Sequence, residues 1–273
     1  MIDLIRELFS YSFIGRAVVV GALVSLCASL LGVSLVLKRY SMLGDGLSHV
    51  GFGALSVALV MNLAPLAVSI PVVVLAAFLL LRLSENSKIK GDAAIALISS
   101  SSIAAGVIVT SLGGGLTTDV NNYMFGSILA MSRSDVVLSA ALSAAVLALY
   151  VLFYPQIFAV TFDETFARAT GVNARMYNIL LALLTAVTIV VGMRIMGTLL
   201  ISSLVIFPAL TSMRVFKSFR SVILSSAAVS VVCFLAGIAV SFVFSLPAGA
   251  SIVAVNLAAF LLFWAAGALI RTR

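Results

Sequence analysis

The sequence has very few charged residues. Lys, Arg, Asp and Glu make up only 9% of its 273 residues, whereas soluble domains carry about 25%. A soluble globular protein needs a charged surface, and a disordered chain needs low hydrophobicity, but 63% of this chain is hydrophobic. Both classes are therefore excluded, and an integral membrane protein is the class that remains.

Cysteine, histidine and phosphate-binding motifs are also scarce. The two cysteines, Cys27 and Cys233, lie within apolar runs and cannot form the disulfide framework of a small secreted domain. The only histidine, His49, rules out the two-histidine motif of an intramembrane zinc protease, and no Gly-Lys pair is present to form a P-loop. We therefore expect a chain that is not an enzyme and has no cofactor of its own, with any ATP bound by a separate subunit.

Long apolar runs divide the chain. Crossing about 30 Å of hydrocarbon takes roughly 20 helical residues. A single helix over 177–213 would reach about 55 Å, so two spans divided at Arg194 fit better than one, although eight spans remain possible. The sequence thus predicts an all-α, polytopic transmembrane helical bundle of about nine spans. These are residues 12–37, 44–62, 64–83, 92–112, 135–154, 176–193, 195–212, 221–244 and 248–270.

The basic residues predict how the bundle is oriented. One set of alternate connections, together with the C-terminal tail, contains 12 of the 16 Lys and Arg residues. Cytoplasmic loops retain an excess of these residues, so nine spans place the N-terminus outside and the C-terminus in the cytoplasm. The net charge of +7 is spread among the loops rather than gathered on one face, and we predict no nucleic-acid partner.

Two connections are long enough to have structure of their own. The external one, residues 111–134, contains Asp119 and an apolar stretch, 123–131, that is too short to span and is interpreted as re-entrant or interfacial. The internal one contains FDETFARATGVNAR, in which acids come first, basic residues follow and Gly171 closes the segment. These signals predict a short cytoplasmic helix around 160–173, which a soluble partner could grip.

Ionisable groups inside spans are costly and usually functional. Asp45 and His49, in GDGLSHVGFG, are four residues apart near the start of the second span, so a helix places both side chains on one face. A carboxylate and an imidazole form a partial site for a divalent ion such as Zn²⁺, Mn²⁺ or Fe²⁺. The alternatives are that Asp45 is a helix N-cap, that His49 is a packing residue, and that Asp119 is an ordinary solvated loop residue.

Four segments, in this order, resemble the permease subunits of ABC importers for zinc, manganese or iron, and the resemblance covers nearly the whole chain. They are LKRYSMLGDGLSHVGFGALSVAL, DVNNYMFGSILAMSRSD, FDETFARATGVN and VGMRIMGTLLISSLVIFPALTSM. Two positions depart from the family pattern. Ser245 stands where an acid often precedes the last external turn, and Thr165 stands where the second acid of the third segment is usual.

The resemblance implies a single transmembrane permease domain, 1–273, in the prokaryotic plasma (inner) membrane. It implies a homodimer, two cytoplasmic ABC ATPase subunits that bind ATP, an extracytoplasmic metal-binding protein and import by alternating access. It assigns Asp45, His49 and Asp119 to the metal path. The residues that it assigns to ATPase docking are Phe162, Asp163, Glu164, Ala167 and Gly171.

A proton-coupled secondary metal transporter, with Asp45 and His49 as the proton relay and no ATPase, remains the alternative.

Overall fold

The apolar runs form helices in the computed structural model, which describes residues 12–86, 91–113, 133–198 and 201–271. Over these residues the chain forms eleven helices and no strand, which confirms the predicted all-α membrane bundle. The helices are α1 (Ser12–Leu37), α2 (Ser41–Val60), α3 (Pro65–Asn86), α4 (Gly91–Leu112), α5 (Arg133–Leu152), α6 (Tyr154–Phe162), α7 (Glu164–Ala169), α8 (Ala174–Met196), α9 (Ile201–Val215), α10 (Phe219–Phe244) and α11 (Ala248–Arg271).

Within the described residues, eight helices are long and apolar enough to cross a membrane. They correspond to eight of the nine predicted spans. The ninth, α9, has 15 residues and extends about 22 Å, which is less than the hydrocarbon thickness. The count of nine full spans and the direction of the termini therefore stay predictions, as does the re-entrant segment 123–131, which lies outside the described residues.

The chain does break between α8 and α9, as the length of the 177–213 run predicts. The break lies later than predicted, because the helix continues past Arg194 to Met196. It is capped by Gly197, whose φ of 87° is in the left-handed region that favours glycine. The amide of Gly197 donates to the carbonyl oxygen of Met193 at 2.9 Å and closes the last turn. The next helix then starts at Ile201.

The first helix lies in the interior of the bundle. Helix α1 packs against α5, α8, α9 and α10, while α2 packs against α3, α4, α8 and α9. Hydroxyl groups of α10 reach the backbone of α1, since Ser226 donates to the carbonyl of Ser29 at 3.3 Å and Ser230 to that of Ser25 at 2.9 Å. Such bonds hold helices together where no water competes for the carbonyl groups.

Helix α9 lies unusually close to α1. A Cβ atom added at Gly32 would lie only 1.9 Å from the carbonyl oxygen of Val205, so no other residue fits at this crossing without movement of a helix. The same stretch of α9 also approaches α2, because a Cβ at Gly44 would lie 4.0 Å from a methyl group of Val205. The short helix is thereby placed against the beginning of α2, where the ionisable pair lies.

Candidate metal centre and docking segment

Asp45 and His49 lie on one face of α2. The Nε2 atom of His49 is 3.5 Å from Oδ2 of Asp45. Helix α2 begins at Ser41 with Tyr40 in the cap position, so Asp45 is not the N-cap, and that alternative interpretation is wrong. The side chains of Asp45 and His49 are 36% and 15% exposed, although their neighbours Leu47 and Ser48 are fully buried. The pair is therefore accessible from a helix that is otherwise largely enclosed.

A third polar group comes from the start of α9. The hydroxyl of Ser202 donates a long hydrogen bond, 3.5 Å, to Oδ1 of Asp45. Sequence reasoning did not single out Ser202, which is 157 residues away from Asp45 along the chain. The only signal for it is that it belongs to the fourth of the resembling segments. The contact brings that segment beside the first one.

The geometry of the pair allows both side chains to bind one metal ion. Two atoms that bind one ion at about 2.1 Å in a tetrahedral arrangement are separated by about 3.4 Å, close to the 3.5 Å between Nε2 of His49 and Oδ2 of Asp45. Imidazole nitrogen with carboxylate oxygen suits first-row divalent ions. The described residues contain no group of three or more His, Cys, Asp or Glu side chains that could hold a metal. Asp119, the third predicted ligand, lies outside the described residues.

The predicted docking segment, 160–173, contains the end of α6 and the six-residue helix α7. Asp163 is the N-cap of α7, and its Oδ1 atom accepts a hydrogen bond from the amide of Phe166 at 2.9 Å. Beyond its end, Gly171 has a φ of 86°, which turns the chain toward α8. Phe162 is 58% exposed, whereas Ala167 is fully buried beneath the segment.

An exposed residue that the sequence reasoning missed is Phe166, on α7, four residues after Phe162. It is 64% exposed. The ring of Phe162 packs at 4.9 Å from Phe158 and 5.5 Å from Phe219 between ring centres. Phe158 and Phe162 are the exposed members of this cluster, whereas Phe219 is buried. Exposed aromatic clusters of this kind are typical of protein interfaces.

Glu164 does not point away from the chain. Its carboxylate accepts hydrogen bonds from Asn178 at 3.1 Å and from Arg168 one turn later, and it lies 3.4 Å from the Lys38 amine. Partial burial acts to raise the pKa of Glu164, but the hydrogen bonds from Asn178 and Arg168 and the charge of Lys38 outweigh it, so that the pKa is lowered. Glu164 is therefore anchored as a carboxylate on its own chain.

Comparison with known proteins adds a family match. The profile of the ABC 3 transport family matches residues 10–267. The manganese import system permease protein ScaB of Streptococcus gordonii is 29% identical over 95% of this chain and 93% of its own length. The high-affinity zinc uptake system membrane protein ZnuB of Haemophilus influenzae is 27% identical over 87% of this chain and 91% of its own.

A solved structure has the same fold. The matching chain of PsaBC from Streptococcus pneumoniae in complex with Fab superposes with a TM-score of 0.87 at 30% identity. The match covers 97% of this chain and 95% of that chain. Sequence and fold therefore agree over almost the full length.

Proposed function

This chain belongs to the ABC 3 transport family, and from that premise we propose that it carries manganese, zinc or iron(II) ions inward by alternating access along a path that contains Asp45 and His49. It is a permease subunit of a metal-type ABC importer and a multi-pass protein of the bacterial plasma membrane, and a separate partner subunit hydrolyses the ATP. The ion itself, the path and the two-state mechanism are the proposal.

The observation that carries the proposal is the accessible pair on α2. An ionisable pair inside a span is costly unless it serves a pathway, and the 3.5 Å between Nε2 of His49 and Oδ2 of Asp45 allows both atoms to contact one ion. Two protein ligands hold a metal less tightly than a complete set of four. Weak ligation suits a permease, because an importer must release the ion that it takes up.

A second copy of the chain would line the same path. At this place the described residues supply only Asp45 and His49 as His, Cys, Asp or Glu ligands, so water would fill the other coordination positions of an ion bound to one pair. In a homodimer with the two α2 helices on opposite sides of a central path, each copy would contribute one pair, and the ion would contact one pair at a time. Asp119 remains a proposed additional ligand nearer the outside, where an extracytoplasmic metal-binding protein would deliver the ion.

The docking segment supplies the proposed contact with the ATPase subunits. Phe162 and Phe166 offer exposed aromatic surface. Asp163 caps the start of α7, Gly171 follows its end, and Ala167 is buried beneath the segment. The short helix would move with the ATPase as ATP binds and is hydrolysed, and that motion would change which side of the membrane the pair faces.

The test is uptake of radiolabelled manganese, zinc and iron by cells that produce the chain with its partner subunits. We expect Asp45→Ala and His49→Ala each to abolish uptake of the cargo ion while the complex still assembles, since either change leaves only one ligand in each pair. Asp92→Asn is the matched control, because it removes an acidic charge from the exposed first turn of α4 and should leave uptake unchanged. Normal uptake by both site variants would refute the proposed path.

The proton-coupled alternative is not favoured, because the family consists of ATP-driven importer subunits. It predicts uptake that continues without an ATPase and stops when the proton gradient is dissipated. Uptake that needs the ATPase partner and survives an uncoupler would reject it.

A further inference from the structure

The amine of Lys38 is held inside the protein by three acceptors. Lys38 follows α1, and its side chain is only 8% exposed. The Nζ atom donates to the side-chain oxygen of Asn178 at 2.7 Å and to the carbonyl oxygen of Val160 at 3.0 Å, and it lies 3.4 Å from Oε2 of Glu164. A lysine so close to the membrane boundary would ordinarily extend toward water. Here it is directed toward the docking segment.

The acceptors are also bonded to one another. The Nδ2 group of Asn178 donates to the same Oε2 atom of Glu164 at 3.1 Å, which closes a ring of three side chains. Arg168 occupies the other carboxylate oxygen. The three members of the ring, Lys38, Glu164 and Asn178, come from the α1–α2 turn, from α7 and from α8. We refer to them as the polar ring.

The turn that carries Lys38 is itself firmly bonded. The amide of Arg39 donates to the carbonyl of Val36 at 3.1 Å, and the amide of Tyr40 donates to that of Leu35 at 2.8 Å, which is the pattern of a Schellman cap. Helix α2 starts at once, at Ser41. A displacement of Lys38 would therefore also move the beginning of α2, and Asp45 lies only one turn farther along that helix.

The apolar contacts of α7 are with α6 and α8. Buried Ala167 belongs to a small cluster with Val160 of α6 and with Ala174 and Tyr177 of α8. The polar ring adds the connection from α7 to the α1–α2 turn. Charged groups in a closed, partly buried ring hold a more defined geometry than an exposed ion pair does, because a buried group that leaves the ring loses hydrogen-bond partners that water cannot readily replace.

We propose that Lys38, Glu164 and Asn178 are positioning residues that transmit movement of the docking segment to α2, and so to the Asp45–His49 pair. This inference rests on the proposed function, in which the docking segment contacts an ATPase. The ring moves with α7 as a unit, pulls the α1–α2 turn, and reorients the start of α2. Lys38 itself touches no cargo.

The first experiment measures metal transported per ATP hydrolysed by the complete importer in proteoliposomes. Lys38→Met replaces lysine with a side chain of similar length that has no amine. We expect the ratio of metal transported to ATP hydrolysed to fall by about fivefold or more, while ATP hydrolysis by the assembled complex continues. Lys38→Arg should retain part of the coupling, because it still donates to the ring. Arg39→Met removes an exposed cation from the same turn and is the control with an unchanged ratio. A wild-type ratio in Lys38→Met would overturn the inference.

The second experiment does not depend on which ion is carried. Met42 lies on α2 and is 51% exposed, so a spin label at Met42→Cys reports movement at the start of this helix. We expect ATP to change the label's spectrum in the assembled complex with Lys38 present, and to have no effect with Lys38→Met. The same ATP response in both would overturn the inference. Failure of the wild-type complex to transport any of the three metals would instead count against the proposed function.

Discussion

The crossing of α1 and α9 allows a stability prediction to be worked out from one contact. In Gly32→Ala, the new Cβ would lie 1.9 Å from the carbonyl oxygen of Val205 and 2.8 Å from its carbonyl carbon. Carbon and carbonyl oxygen normally approach to about 3.3–3.6 Å, so the helices must separate by about 1.4 Å. A backbone oxygen cannot rotate away as the end of a side chain can. The strain is therefore shared by the two helices.

The energetic cost follows from two opposing terms. Overpacking a well-packed interior typically costs about 1–3 kcal/mol, and rigid backbone places this contact at the upper end. Alanine is the better helix former by about 1 kcal/mol, which offsets part of the cost. We expect a net loss of about 2 kcal/mol in the free energy of unfolding. Uptake should also fall, because Ser202 lies one turn before Val205 and its 3.5 Å bond to Asp45 is already at the limit of a hydrogen bond.

The assay compares thermal unfolding of the purified complex and metal uptake for Gly32→Ala and Gly15→Ala. Both changes are in α1, but a Cβ at Gly15 meets nothing within 4 Å, so this control should be neutral or slightly stabilising. Equal stability of the two variants, with full uptake by Gly32→Ala, would refute the close approach of α9 and the argument built on it.

Two further predictions concern the docking segment. Asp163→Ala removes the N-cap of α7 and should weaken its first turn by about 1 kcal/mol, seen as faster amide hydrogen exchange, whereas Asp163→Asn keeps an acceptor and should exchange nearly as slowly as the wild type. The lowered pKa of Glu164 means that its carboxylate contributes stability that is complete above the ordinary pKa of glutamate and is lost as pH falls through the lowered value. The difference in unfolding temperature between wild type and Glu164→Gln should therefore be present at neutral pH and close on acidification. If the difference in unfolding temperature did not change with pH, the ionised carboxylate of Glu164 would not be the source of the stability.

The spans could be predicted because each is a long apolar run with polar or charged ends, and most helices begin and end within three residues of the predicted bounds. Helix α9 is the exception. Its start lies six residues after the predicted one, since the division was placed at Arg194 and the chain turns instead at Gly197. Arg194 is a charge inside an apolar run and therefore suggested where the run divides. The turn at Gly197 could not be predicted in the same way, because the conformation of this glycine depends on how α8 and α9 pack.

The Asp45–His49 pair could be predicted from the sequence, whereas the polar ring could not. Asp45 and His49 lie four residues apart on one helix, so helical periodicity alone brings them together. Lys38 and Glu164 are 126 residues apart, and no local pattern joins them. From the sequence, Lys38 is interpreted as part of the charge asymmetry that orients the chain and as part of the first segment that resembles the permease family. Its proposed role in the polar ring depends on tertiary packing, which places Glu164 of α7 beside the α1–α2 turn.

The enclosed position of α1 has a consequence for how the protein is made. The ribosome delivers α1 before α10, yet the carbonyl groups of Ser25 and Ser29 receive their hydroxyl donors from α10, about 200 residues later. Until then α1 must persist in the bilayer as a stable helix beside lipid or an insertion chaperone. Helix α1 becomes enclosed only when α9 and α10 pack against it. Nascent chains arrested before α10 should therefore expose α1 to quality-control proteases, although α1 itself is complete.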